Sequence, residues 1–118
     1  CKIAYQWALD QGFRKILGLR TRDLGYRKEA KEIPGALRVY RAYPEFAHGL
    51  AMSNFDYNAQ CDELERLDAE GRLMQLAPSE PVLISNLEGD LEKLGSLYWL
   101  GYHDCQDRLE EIRAYLAA

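Results

Sequence analysis

Long apolar runs are missing. The unbroken apolar stretches are a few residues long, such as Ile16-Leu17-Gly18-Leu19, whereas a bilayer-spanning helix needs about 20. Cysteine is sparse: Cys1, Cys61 and Cys105 are odd in number, far apart and without a C-x-x-C pair. That excludes a disulfide framework and the usual zinc spacings, and is expected of reduced thiols in a cytoplasmic protein. The only histidines are His48 and His103, too dispersed for a metal site, and no cofactor is expected. Gly12, Gly18 and Gly25 are spaced too widely for G-x-G-x-x-G or a Walker A loop. None of Ser53, Ser79, Ser85 and Ser96 stands in a G-x-S-x-G turn; Ser96, in Gly95-Ser96-Leu97-Tyr98-Trp99, fits the inside of an amphipathic helix.

What is present is enough for one core: 118 residues, 47% hydrophobic and 29% charged, close to globular averages. The net charge of −4 hides an asymmetry. Residues 1–42 hold ten Lys/Arg against four Asp/Glu, and residues 43–118 hold five against fifteen. The two halves can attract one another within one fold, or the basic third can face an anionic partner. The carboxylates of residues 62–70 are interleaved with Leu64 and Leu67, which is expected of a solvated helix face rather than a catalytic pair.

Along the chain, residues 2–11 read as a helix stopped at Gly12. Residues 13–20 read as a strand, and their continuous apolar run predicts burial on both faces, as in a parallel sheet. Helix, glycine, strand is the second half of a β-α-β unit. With an opening at Cys1-Lys2-Ile3 and no initiator Met, this is expected of a piece of a longer protein. Residues 21–35 form a loop. Residues 36–71 are helical and broken at Pro44, with Phe46, Leu50, Tyr57, Cys61 and Leu64 as an apolar stripe and Gly71 as the stop. Strands are expected at about 73–77 and 82–85, the first parallel to residues 14–20. Asp90 caps a helix ending at Gly101, and a last helix starts near residue 104.

The loop Arg20-Thr21-Arg22-Asp23-Leu24-Gly25-Tyr26-Arg27-Lys28 follows the C-terminal end of a strand, where open α/β sheets place ligands. Arginines there can hold phosphate or carboxylate by paired hydrogen bonds, or can pair with the acidic second half. Arg20, Arg22, Tyr26 and Arg27 are the candidate substrate- or anion-contact residues.

This loop resembles the R-T-R-x-x-G-Y-R-K stretch of bacterial patatin-like phospholipases. The resemblance runs on through Tyr40-Arg41-Ala42-Tyr43-Pro44, Tyr57-Asn58 and Pro78-Ser79-Glu80-Pro81. It continues through Leu87-Glu88-Gly89-Asp90-Leu91-Glu92-Lys93-Leu94 and closes with Leu97-Tyr98-Trp99-Leu100-Gly101-Tyr102. Members often carry basic residues just before the Tyr-Asn pair, where this chain has Met52-Ser53-Asn54-Phe55-Asp56. The resemblance implies a fragment of a three-layer α/β fold: two or three short strands (about 13–20, 73–77 and 82–85), flanking helices and a helical C-terminal tail. Residues 1–35 would end the catalytic domain and residues 36–118 would form its C-terminal extension. The family cleaves lipid esters with a Ser–Asp dyad, the Ser in G-x-S-x-G and the Asp in D-G-G or D-G-A. Neither motif occurs in this chain, so no catalytic residue is carried over. The implied parent is a lipid acyl hydrolase, cytoplasmic or peripheral to a membrane, meeting a lipid or membrane surface, with no nucleic-acid partner. Self-association of the piece is expected from open strand edges. The alternative is a non-catalytic regulatory or anion-binding domain.

Overall fold

Two glycines end the helices that flank the sheet. In the computed structural model of this chain, which describes residues 3–118, α1 (Tyr5–Asp10) stops at Gly12, whose φ is +81°. The Gly12 N–H donates to Leu9 O and the Phe13 N–H to Ala8 O, the paired bonds of a Schellman stop. The same pair recurs where Gly71 (φ +72°) donates to Asp68 O and Arg72 to Leu67 O, closing the helix Ser53–Ala69. The expected start of α1 at Lys2, and Cys1, lie outside the described residues.

After α1 the chain forms β1 (Leu17–Leu19), α2 (Ala36–Val39), α3 (Pro44–Ala51), α4 (Ser53–Ala69), β2 (Met74–Leu76), α5 (Leu91–Asp107) and α6 (Leu109–Ala117). The fold is mixed α/β and mostly helical. β1 and β2 are parallel, with Leu17 opposite Met74, Gly18 opposite Gln75 and Leu19 opposite Leu76. The core gathers Leu64 and Leu67 of α4 with Leu73, and Ile3, Tyr5, Leu9 and Ile16 pack against it. At the entry to β1, the Tyr115 hydroxyl of α6 accepts from Ile16 N (3.0 Å) and lies 3.2 Å from Ile16 O as donor.

Several expectations are corrected. The strand of residues 13–20 shortens to Leu17–Leu19 and is not covered on both faces: Leu19 is 71% exposed, since what covers a strand's face is a packed layer and not the strand beside it. Residues 73–77 shorten to Met74–Leu76. Residues 82–85 form no strand. Pro81 removes a donor at the entry, and the Arg22 guanidinium takes the carbonyls of Val82 and Ile84 that a neighbouring strand would use. The helical stretch 36–71 divides twice, at Pro44 and again at Met52, so the apolar stripe splits. Cys61 and Leu64 are buried, while Phe46 is exposed and meets Tyr40 edge-to-face at 5.0 Å. Gly101 does not end α5, since a mid-helix glycine costs only about 1 kcal/mol, and α6 begins at Leu109 rather than near 104.

Asp90 is the cap expected of it, accepting from Glu92 N and Lys93 N. Asp90→Ala is expected to cost about 1 kcal/mol and to fray the first turn of α5, read as faster amide exchange at Glu92 and Lys93. Unchanged exchange would mean that the cap is idle.

The chain is a slab of 50 × 41 × 20 Å with a radius of gyration of 17.0 Å, where a compact domain of this length has about 13.5 Å. Its surface is 8657 Å², against about 6,600 Å² for a compact monomer of this mass. The excess, about 2,000 Å², is on the scale of one partner's share of an obligate interface. α5 has no buried residue in its whole length, and Leu91, Tyr98, Trp99 and Tyr102 on it are all exposed.

Candidate functional site

Parallel strands send their chain reversals out at one end, so the loops after β1 and β2 meet. Asp23, Leu24 and Gly25 from the first loop face Ala77, Pro78 and Ser79 from the second across a cleft of about 420 Å³, with Arg108 also lining it. Arg108, at the junction of α5 and α6, is already engaged. Its Nη1 donates to Gln75 O (2.7 Å), and its Nε and Nη2 each donate to Glu111 at 2.8 Å. That pairing with Glu111 raises Arg108 above its ordinary value against the effect of burial, and holds the Glu111 carboxyl below the usual carboxylate range. The Ser79 N–H donates to Asp104 Oδ2 (2.9 Å), tying the second loop to α5.

The structure shows where the four candidate contact residues stand. Arg20 reaches across the sheet, Nη1 to Gln75 Oε1 (2.8 Å) and Nη2 to Cys61 Sγ (3.2 Å). Arg22 holds Val82 O and Ile84 O and lies 5.1 Å from the Tyr26 ring centre. The Tyr26 ring meets Tyr57 edge-on at 6.2 Å. Arg27 bridges to Asp62 and Glu65 of α4, both at 2.8 Å, and donates to the carbonyls of Leu24 and Tyr26. Glu65, then Asp62, hold the Arg27 guanidinium above its ordinary value despite partial burial. All three guanidinium groups therefore have protein acceptors, and the loop is fastened to α4, β2 and the segment after Pro81.

Asn58 is the other half of that fastening. Its Oδ1 accepts from Lys28 N (2.8 Å) and its Nδ2 donates to Lys28 O (2.9 Å), so one side chain satisfies both peptide groups of a loop residue. The neighbouring Tyr57 ring lies 4.9 Å from Lys28 Nζ, and burial pushes its phenol above the ordinary value, opposed by Arg20. The sequence marks Tyr57-Asn58 as a pair without indicating this role.

A polar set at the sheet escaped sequence reasoning. Gln75, 1% exposed, donates its N–H to Asp68 Oδ2 (3.3 Å), while its C=O takes the Arg108 bond and its Oε1 the Arg20 bond. The signal was a glutamine inside the apolar run Leu73-Met74-Gln75-Leu76; buried amides are kept where they are bonded.

Ser96 lies inside α5, His48 is on α3, and His103 on α5 stacks on Trp99 at 5.9 Å. Cys61 and Cys105 are free thiols. Among the described residues, no group of three or more His, Cys, Asp or Glu is placed to hold a metal, and no helix is long and apolar enough to cross a membrane.

These features define a helix-rich α/β unit whose loops are locked by arginine and asparagine clamps. Residues 43–117 match the family described as Domain of unknown function (DUF6363), and the chain belongs to that family. The match takes in α3, α4, β2, α5 and α6, and leaves out α1, β1, the basic loop and α2. No curated protein and no solved structure matches the chain.

Proposed function

We propose that this chain is the C-terminal segment of a patatin-like lipid acyl hydrolase, supplying a margin of its sheet and a helical cap. The observation that carries the reading is the one-sidedness of the sheet. In a parallel ladder alternate residues turn their peptide groups to opposite edges. Gln75, at the centre of β2, turns its own away from β1, and Asp68 and Arg108 satisfy them. Leu17 and Leu19 of β1 turn theirs to an edge with no strand beside it among the described residues. A sheet closed on one side and open on the other is built to continue past β1, where the strand preceding α1 in a β-α-β unit belongs. The excess exposed surface supports the same reading.

The nucleophile and the Asp of the dyad lie, on this reading, on that continuing sheet. The lipid surface is met by the whole enzyme at the membrane periphery. The engaged state of Arg20, Arg22 and Arg27 favours this reading over an anion-binding domain, which needs free cations in the loop. Two measurements test it. The 118-residue chain is expected to turn over no p-nitrophenyl ester above background, and the 10–15 residues encoded just before it, about one β-α-β turn and its strand, are expected to contain Asp-Gly-Gly or Asp-Gly-Ala. Turnover by the chain alone that disappears in Ser96→Ala would overturn the proposal, as would the absence of that upstream motif.

A further inference from the structure

An uncovered surface runs the length of α5, which buries none of its 17 residues. Leu91, Leu94, Tyr98 and Tyr102 recur at steps of three and four, with Trp99 beside Tyr98, so they form one apolar stripe down the helix. The charged residues of α5, Glu92, Lys93, Asp104 and Asp107, lie off that stripe. The opposite side, with Leu97 and Leu100, is half-buried and faces residues 80–84. The rings of the stripe already hold one another, Tyr98 against Trp99 at 5.3 Å and Trp99 against Tyr102 at 5.4 Å, so little side-chain ordering is left for a partner to impose. At about 200 Å² for a large side chain, exposures from 39% at Leu94 to 81% at Leu91 leave roughly 550 Å² of mostly apolar surface on one copy. Paired with itself, the stripe buries about 1,100 Å², above the roughly 1,000 Å² that a specific interface has to clear.

The position and charge of α5 decide between occupants. It is held at the β2 margin, through Asp104 to Ser79 and through Arg108 to Gln75, opposite the open edge of β1. Strands added past β1 therefore extend away from it. Three acids on α5 against one lysine repel an anionic lipid surface. The stripe is instead complementary to itself. Glu92 and His103 share one border of it with Trp99, six residues before Tyr98 and five after it. We propose that α5 is a homodimer interface, in which two copies cross antiparallel about a twofold axis near Tyr98. That register lays Glu92 of each copy beside His103 of the other, which donates a hydrogen bond to it. Leu94 packs against Tyr102 of the second copy. Gly95, where no described atom lies within 4 Å of the point at which a side chain would begin, leaves a hollow for the facing helix. The antiparallel crossing also sets the two helix dipoles head to tail. This surface is separate from the open sheet edge, and the inference does not rest on the function proposed above.

The test is sedimentation equilibrium of the full chain, which is expected to show a monomer–dimer equilibrium with a micromolar dissociation constant. Tyr98→Glu sets two like charges at the axis and is expected to leave a monomer with an unchanged circular dichroism spectrum. Leu19→Lys, on the open strand, is expected to keep the dimer. Glu92→Lys and His103→Glu are each expected to weaken association about fivefold or more, the scale of one exposed pair turned repulsive at two symmetric places. The two together are expected to restore it to within about twofold, a recovery that a mere loss of helix stability would not produce. A chain that stays monomeric at about 1 mM, far above a micromolar dissociation constant, would overturn the inference. So would a dimer broken by Leu19→Lys but not by Tyr98→Glu, or no recovery in the double reversal. Binding of the monomer to phosphatidylcholine vesicles, lost in Tyr98→Glu, would assign the stripe to a lipid surface and overturn it as well.

Discussion

Leu67→Ala is expected to lower the stability of the chain by about 2–5 kcal/mol, the range for truncating a large aliphatic side chain in a close-packed core. Leu67 is 1% exposed and sits with Leu64 and Leu73 in the one cluster where α4 and the sheet region meet. The chain has few other fully buried large side chains, so little else compensates, and a loss of this size is a large share of a small domain's margin. Leu17→Ala, in the strand that the sequence pattern marks as central, is expected to cost less, because Leu17 is only half-buried. Chemical denaturation of the two variants side by side checks the order. If Leu17→Ala is the more damaging, the core lies at the sheet and not beneath α4.

The second large effect falls on a hydrogen bond. Arg20→Met is expected to cost about 1–3 kcal/mol, because it leaves Gln75 Oε1 buried without its best donor. Pairing it with Gln75→Leu is expected to recover part of that loss, since replacing both partners by apolar groups removes the stranded acceptor. The double-mutant cycle reads the coupling directly. Independent, additive losses would show that Arg20 and Gln75 do not act as a unit.

How much of this was legible in the sequence follows from how local each cause is. The stops at Gly12 and Gly71 and the cap at Asp90 are set by a few adjacent residues, and all three stand where the pattern puts them. The parallel pairing of the two surviving strands was legible from the long helical crossover between them. Residues 82–85 were not, because Val82-Leu83-Ile84 has strand composition, and whether it pairs depends on Arg22, sixty residues earlier in the chain. Phe46 belongs to the apolar stripe in sequence but not in space: the break at Met52 puts it on a separate helix from Cys61 and Leu64, where it stays exposed beside Tyr40 while Ala47 and Ala51 are the residues α3 buries. Within the candidate site, the basic loop was identified but not its fastening. The acceptors for Arg20, Arg22 and Arg27 come from β2, a loop carbonyl pair and α4, and no local spacing encodes that convergence. Arg27 did find the acidic second half, at Asp62 and Glu65, as charge attraction between the two halves allows.

Amide hydrogen exchange along β1 in the monomeric 118-residue chain bears most closely on the sheet being open at one margin. Gly18 and Arg20 face β2, the latter donating to Leu76 O at 2.8 Å, and should exchange slowly. Leu17 and Leu19 should exchange close to unprotected rates, giving an alternation of slow and fast sites along one strand. Equal protection at Leu17, Gly18, Leu19 and Arg20 in a verified monomer would mean that the far edge of β1 is already covered, and that no further strands are needed beside it.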